Sequence, residues 1–381
     1  MSTIKVQNIQ HTASSTNAIS LASDGTCTAN ITNNLSNKRI NINGSINVNQ
    51  RGNTTGITST GYHGPDRFRS TIYGGTFSFS QADSGSTLPE FPKCFKVDCT
   101  SAASAPTGTQ ECKIGYDMEG QDVQHLCYGS SSAKKTTLTF YIRSNKTETY
   151  TVWYYRPDGG GRMNGVNFSV SSANTWEKKT ITIDGDTTEV IPNDNTSGLK
   201  FEFVLASGTD YKSGSALNGN WAARVDVNRY VGNTGTFGQS TDDVIEITGI
   251  QFEVSDYGTS YEHRSFGQEL ELCKRYYQVL IEGDDNYMGG VGYQYSGTLA
   301  ITQIQFTTEM RITPVLVQGS GTNYYKFYIN GTSTDFNSFT GFTNTHKRGG
   351  AIYWTSNNTQ GTAGAVSSND AGAKIHFAAE L

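Results

Sequence analysis

TGIQFEVSDYGTSYEHRSFGQELELCKRYYQ, residues 248–278, passes from strand to turn to helix in one stretch. Ile250, Phe252 and Val254 alternate with polar neighbours, as a half-buried strand requires, and Ile245 and Ile247 alternate one register earlier. The phase slips at Thr248-Gly249, which predicts a β-bulge. Past a polar turn at 256–260, Ser265 and Gln268 have the spacing of a capping box, in which each side chain satisfies an orphan backbone donor. Phe266, Leu270, Cys273 and Tyr277 recur at helical spacing and predict one buried helix face. A short packed connector of this kind implies a further domain beyond it.

Upstream of that connector the strands are regular. Leu138, Phe140 and Ile142 alternate, then Tyr150, Val152 and Tyr154, then Val166, Phe168 and Val170, and Leu199, Phe201, Phe203 and Leu205 close the series. Gly-rich or polar turns at PDGGGRMNG, DGDTTEV and PNDNTSG separate them at sandwich intervals, and the absence of intervening helical segments argues against a parallel sheet. The composition agrees: 42 glycines, 21 tyrosines and 18 phenylalanines with 17% charged residues describe turns and strands. Hydrophobic content of 35% is low for one large core and suits thin sandwiches or subunits that bury surface against copies of themselves. The predicted fold is all-β, a jelly-roll-like β-sandwich plus a smaller C-terminal β-domain. The segments are 1–35, an extended N-terminal attachment segment; 36–264, the sandwich; 265–280, the helix and a strand start; and 281–381, a distal β-domain. Pro314 belongs at an edge or strand start, because proline donates nothing to a ladder.

Sites for bond-making chemistry do not emerge. The sequence holds no G-x-S-x-G elbow, no H-E-x-x-H and no P-loop. Histidines at 11, 63, 125, 263, 346 and 376 lack metal-ligand spacing, and His263 between Glu262 and Arg264 reads as an ion-paired or turn-capping group. Acidic pairs at Asp184 with Asp186 and Asp284 with Asp285 lie in turn-like segments, where solvation explains them, and no short rungs of a β-helix repeat. Cys94, Cys99, Cys112 and Cys127 cluster; a reducing cytosol makes them free buried thiols, an oxidising compartment would pair them, and no C-x-x-C spacing supports zinc. The formal charge of −5 comes without long runs and offers nucleic acid no basic face. No signal peptide or bilayer-length apolar run is evident, which predicts a soluble chain without membrane insertion. No metal and no cofactor is expected.

Several stretches carry a resemblance. INGSINVNQRG followed by HGPDRFRS, the succession TLTFYIRS, TYTVWYYR, TWEKKTITIDGDT, GLKFEFVLASGTDY and NGNW, the 248–278 junction, and QIQFTTEMRITPVLVQG with the closing KIHFAAEL all resemble tail-fibre and receptor-binding proteins of tailed bacteriophages of the marine type, which carry a carbohydrate-binding-module-like sandwich. The resemblance covers residues 36–381, diverging most at 69–130, and the opening STIKVQNIQ resembles the start of virion structural proteins. It matches Arg51, Asp66 and Arg67 in the sandwich and Phe306, Met310, Arg311 and Pro314 in what reads as a C-terminal strand. It implies a homotrimer in the virion, made in the host cytoplasm, docked to other virion proteins through its N-terminus and contacting a host surface polysaccharide or receptor. Arg51, Asp66, Arg67, Glu262 and Arg264 read as structural, since a planar guanidinium ties turns to carboxylates. Sugar faces stack on aromatic rings, which makes Trp221, Tyr154, Tyr155, Tyr324, Tyr325, Phe339 and Trp354 the candidate ligand contacts, while Trp153 and Trp176 read as packing or inter-subunit contact. The loops TNYYKFYINGTSTDFNSFTGFTNTHKRGG and SNNTQGTAGAVSSNDAG would be displayed at a distal tip. Two other roles stay open: a capsid decoration or tail component without host binding, and a glycan depolymerase.

Overall fold

Strand follows strand through the computed structural model, which describes residues 6–10, 12, 14, 17–25, 27–29 and 37–381. The other positions of the 1–35 segment, His11 among them, lie outside the described residues. Of the chain, 44% is strand and 6% helical, so the fold is all-β. One sandwich sheet runs Glu177–Ile183, Thr136–Ser144, Val244–Val254, Lys93–Ser101, Thr76–Asp83, Thr54–Ile57. Facing it are Ala222–Ala223, Arg162–Ser169, Thr149–Arg156, Ser197–Ser207, Glu111–Glu119, Phe68–Thr71 and Gly61–Tyr62. The ladders are antiparallel and the chain crosses repeatedly between sheets, in jelly-roll manner. The alternating residues read from the sequence supply the layer between them: Leu138, Phe140 and Ile142 meet Tyr150, Val152, Phe201 and Phe203.

The bulge lies where the phase slips. Thr139 pairs with Gln251 and Tyr141 with Thr248, so Gly249 and Ile250 together oppose Phe140. Gly249 has φ +60°, and a Cβ there would sit 2.9 Å from the rings of Phe91 and Tyr141, which reserves the position for glycine. The freed groups of Ile250 are used: its N–H donates to the Gly44 carbonyl at 2.9 Å, and its carbonyl accepts from the Asn41 amide at 2.8 Å. INGSINVNQ, which carries part of the resemblance, forms no regular strand and is an irregular plug at the sandwich. Asn43 and Ile46 both adopt left-handed backbone there, and the Asn43 side chain holds the turn through Val48 N, Val48 O and Asp66 O.

Ser265 caps a helix at Phe266–Lys274 with a complete capping box through Gln268. The predicted apolar face needs correction. Phe266 is exposed, and Tyr277 already begins the next strand; the buried residues are Cys273 and the carboxylate Glu269. The helix covers the plug, whose Arg39 guanidinium and Asn43 N–H need an acceptor, and Glu269 supplies it to both.

Beyond the helix, Tyr277–Glu282, Lys374–Ala378 and Val315–Gln318 form one sheet. Thr332–Phe336, Tyr325–Ile329, Ala363–Ser368, Tyr287–Ser296, Leu299–Gln305, Gly349–Thr355 and Gly341–His346 form another. Pro314 directly precedes the edge strand Val315–Gln318. Phe306 to Pro314 is not a strand, however, because Met310 and Arg311 turn inward to close the junction with the sandwich. The first of the two stretches read as distal loops folds largely into strands, and its period-2 aromatics bury Tyr325, Phe327 and Phe336 in the second core; the second stretch contributes the strand Ala363–Ser368, which buries Val366 there.

His376 is buried in the middle strand of the smaller sheet, its Nδ1 2.7 Å from the Tyr277 hydroxyl and its Nε2 3.8 Å from Glu282. Burial, reinforced by Lys374 and Arg51, pushes its pKa down to about 4. An unfolded histidine titrates near 6.5, so between these values the unfolded chain binds more protons. Stability is therefore full above pH ~6.5 and falls as pH drops towards ~4, by about 2 kcal/mol, since burial of the neutral ring opposes the charge. Urea midpoints at pH 7.5 and pH 4.5 check this: the drop should shrink in His376→Gln, and an equal drop in both proteins rules out His376 as its source.

Candidate functional site

Burial removes four of the seven aromatic candidates. Tyr154, Tyr325, Phe339 and Trp354 are all core residues, walled by other rings, and have no face to offer a ligand. For Tyr154, Tyr325 and Trp354 the alternation signalled the inward face of a strand, whereas Phe339 is buried from the segment between two strands. Trp221 is half-buried against Tyr128, with its indole N–H on the Asp184 carbonyl at 2.8 Å. Tyr324 is half-buried at the margin of the second core. Tyr155 stacks on Trp153 at 4.8 Å on the outward face of the seven-stranded sandwich sheet. Part of that face is covered by the chain itself: Tyr211, Leu217 and Tyr230 pack on Trp153, Met163 and Val204, and the Arg229 guanidinium sits among the rings of Trp153, Tyr211 and Tyr230.

Of the polar residues assigned to structure, Arg51, Asp66 and Arg67 meet at the seam between the two cores. Glu380 accepts from Arg51 at 2.7 Å and from Arg67 at 2.8 Å. Arg67 also donates to the Asp117 carbonyl at 2.7 Å and lies 3.4 Å from the Tyr276 ring centroid. Asp66 receives the backbone and amide of Gln50 at 2.8 and 2.6 Å. Burial raises its carboxyl pKa above the usual range despite Arg51. Across the seam Arg275 pairs with Glu119 through two bonds of 2.7 Å. Burial alone would raise the Glu119 carboxyl; Arg275 and Tyr276 outweigh it and hold it below the ordinary value. Arg311 and Asn195 exchange two bonds of 2.8 Å with each other's carbonyls. Glu262 and Arg264 hold the plug instead, through the Arg39 N–H and carbonyl. His263, between them, pairs with Glu90 at 3.2 Å and stacks on Phe91.

An exposed tyrosine face lies elsewhere, on the larger C-terminal sheet. In YMGGVGYQYS, Met288, Gly292 and Gln294 turn inward, and Tyr287, Val291 and Tyr295 are 57%, 66% and 60% exposed. Register places Tyr293, Ile301 and Tyr353 in one row across three strands, and Tyr287 lies 5.9 Å from Tyr328. Beside this face an open groove of about 840 Å³ is lined by Tyr293, Ile301, Gln303, Gln305, Asn344, His346 and Arg348 with smaller residues. The groove exists because the Tyr287–Ser296 strand peels from its neighbour at Gly289 and Gly290: pairing with Leu299–Gln305 extends only to Gly292. None of these residues was a candidate ligand contact from the sequence, although Asn344, His346 and Arg348 lie in the first stretch expected at a distal tip. Their signal is the odd-numbered rings of YMGGVGYQYS, hidden because the inward partners include glycines instead of large apolar residues.

The arrangement suits noncovalent recognition. Tyrosine rings present flat apolar area at small entropic cost, and flanking amides both donate and accept. Asp284 and Asp285 are exposed in the turn that leads from the smaller C-terminal sheet to the larger one. Asp186, by contrast, is buried: Arg156 and Arg162 grip it, so neutralisation and not solvation explains that carboxylate. Burial would raise its pKa, but the Arg162 and Thr188 hydrogen bonds and both guanidiniums lower it overall. Among the described residues no group of three or more His, Cys, Asp or Glu side chains is placed to hold a metal. The six cysteines are free, and Cys94, Cys99, Cys112 and Cys273 are buried. No helix of the described residues is long and apolar enough to cross a membrane.

No family model and no curated protein matches the sequence. Among solved structures, similar chains include a Bacteroides thetaiotaomicron protein assigned to sugar binding, at 12% identity over 57% of this chain and 100% of that one, TM-score 0.32. A family 11 carbohydrate-binding module from Clostridium thermocellum, in complex with a mixed-linked tetrasaccharide, aligns at 13% identity over 56% and 98%, TM-score 0.27. The enzymatically active domain of tailspike protein 4 of bacteriophage CBA120 aligns at 12% identity over 57% of this chain and 21% of that one, TM-score 0.28.

Proposed function

We propose that this chain is a non-enzymatic virion protein of the tail-fibre type that recognises a host surface glycan or receptor through its C-terminal β-domain. The observation that carries the reading is the solvent-facing row of tyrosines beside an amide-lined groove. A soluble protein rarely leaves several large rings on one sheet face unless something docks there. Phage origin, assembly as a homotrimer and attachment through the N-terminal segment rest on the sequence resemblance. The N-terminal strands Asn8–Ile9, Ile19–Leu21 and Cys27–Ala29 leave Val6, Ile9 and Leu21 exposed, which suits a surface completed by other chains.

The test uses the purified full chain as a competitor of phage adsorption to host cells. The parent protein should block adsorption. Tyr293→Ala with Tyr295→Ala should weaken that block at least about tenfold, because each stacked ring contributes on the order of 1 kcal/mol. Loss of competition with unchanged thermal unfolding supports the reading. A parent that neither adsorbs nor competes ends it in favour of a decoration or tail component, and release of oligosaccharide fragments from host polysaccharide points to a depolymerase.

A further inference from the structure

We propose that the C-terminal groove takes an anionic polysaccharide, its acid groups meeting the cationic turn at 346–348; this rests on the glycan reading above and names its ligand class. The chain carries more acidic than basic residues, 34 against 29, yet no carboxylate side chain is among the groove's lining residues. His346 and Arg348 line the groove, with Lys347 between them in the sequence.

These groups are held in place before any ligand arrives. The Lys347 carbonyl accepts from Met310 N–H at 2.8 Å and the Arg348 carbonyl from Phe306 N–H at 2.9 Å, tying the turn to the domain body. The Arg348 N–H donates to His346 Nδ1 at 3.1 Å. The neutral imidazole therefore carries its proton on Nε2, where it is a donor. Asn344 sits at an irregularity between Thr343 and His346 with φ +48°, a conformation that asparagine tolerates better than most residues.

Arg348 has its Nε edge on Glu309 at 2.9 Å, an exposed pair that solvent weakens. A carboxylate on a sugar ring can take the other edge of the planar fork, a contact with geometry as well as charge. Gln303 and Gln305 then face the hydroxyls, and Tyr293 offers its ring to an apolar sugar face. A neutral glycan would use the amides and the ring but make no use of the outer edge of the Arg348 fork.

Short oligogalacturonates, and the same oligomers after carboxyl reduction to galactose, test this by calorimetry on the full chain. The acidic oligomers should bind about tenfold or more tightly than the reduced ones, with the preference shrinking as salt rises. Arg348→Ala should abolish the preference. Glu309→Gln should keep the preference, which separates loss of the guanidinium from loss of its ion pair. Equal affinity for the two oligomers, no binding of either, or a preference that survives Arg348→Ala overturns the inference. Host adsorption through the tyrosine face is read independently. If it persists while acidic oligomers show no advantage, only the ligand class is wrong; if it is absent as well, the recognition reading falls with it.

Discussion

Glu269→Ala should cost the fold about 3–5 kcal/mol, the range seen when one partner of a buried ion pair is removed. Glu269 and Arg39 are both fully buried, and neither charge can reach water without undoing the plug. Glu269 also accepts the Asn43 N–H at 2.7 Å. Its removal therefore strands a guanidinium and a backbone donor together, each with its own desolvation cost. Glu269→Gln keeps the shape and one acceptor, and should lose less. Urea unfolding of the three proteins gives the comparison. Because the plug's neighbours Gly44 and Asn41 occupy the bulge at Ile250, hydrogen exchange at 248–252 should accelerate in Glu269→Ala. A loss under 1 kcal/mol with unchanged exchange means that the pair contributes little to holding the plug.

Arg67→Ala should produce a loss of similar size, about 3–5 kcal/mol, and alter how the molecule unfolds. Arg67 belongs to the sandwich, and its partner Glu380 is the penultimate residue of the chain. Burial works against the guanidinium charge, yet Tyr116, Tyr276 and Glu380 keep its pKa well above the ordinary value. Without it the Glu380 carboxylate is left to Arg51, and Tyr276 loses the cation over its ring. The seam couples two cores that each have a complete set of buried residues. Calorimetry should therefore resolve two transitions where the parent shows one, the smaller at the lower temperature. Arg67→Lys should not restore the parent behaviour, because a point charge cannot serve Glu380 and the Asp117 carbonyl in two directions. A single transition of unchanged midpoint in Arg67→Ala would show that the seam is held by other contacts.

Much of the fold was written in periodicity. The runs ending at Leu205, the bulge at Thr248-Gly249 and the Ser265 capping box are local patterns, and local patterns fix backbone conformation wherever it lies. Facing was harder to read. Tyr154 and Trp354 are aromatic whether buried or exposed, and only the opposing sheet makes them core. The helix shows the same limit: Leu270 and Phe266 looked like its buried stripe, yet Glu269 is what the plug requires. The tyrosine face escaped for the converse reason, since glycines among its inward partners broke the contrast that marks an amphipathic strand.

By itself, then, the order of residues determined an all-β chain, the bulge at Thr248-Gly249 and the helix capped by Ser265, because these depend on neighbours a few positions away. The tertiary structure alone decided which rings meet water, which carboxylates are neutralised and where the groove opens. Those outcomes join residues as distant as Arg39 and Glu269 or Arg67 and Glu380, and a charge or a ring acquires its role only from what the fold sets against it.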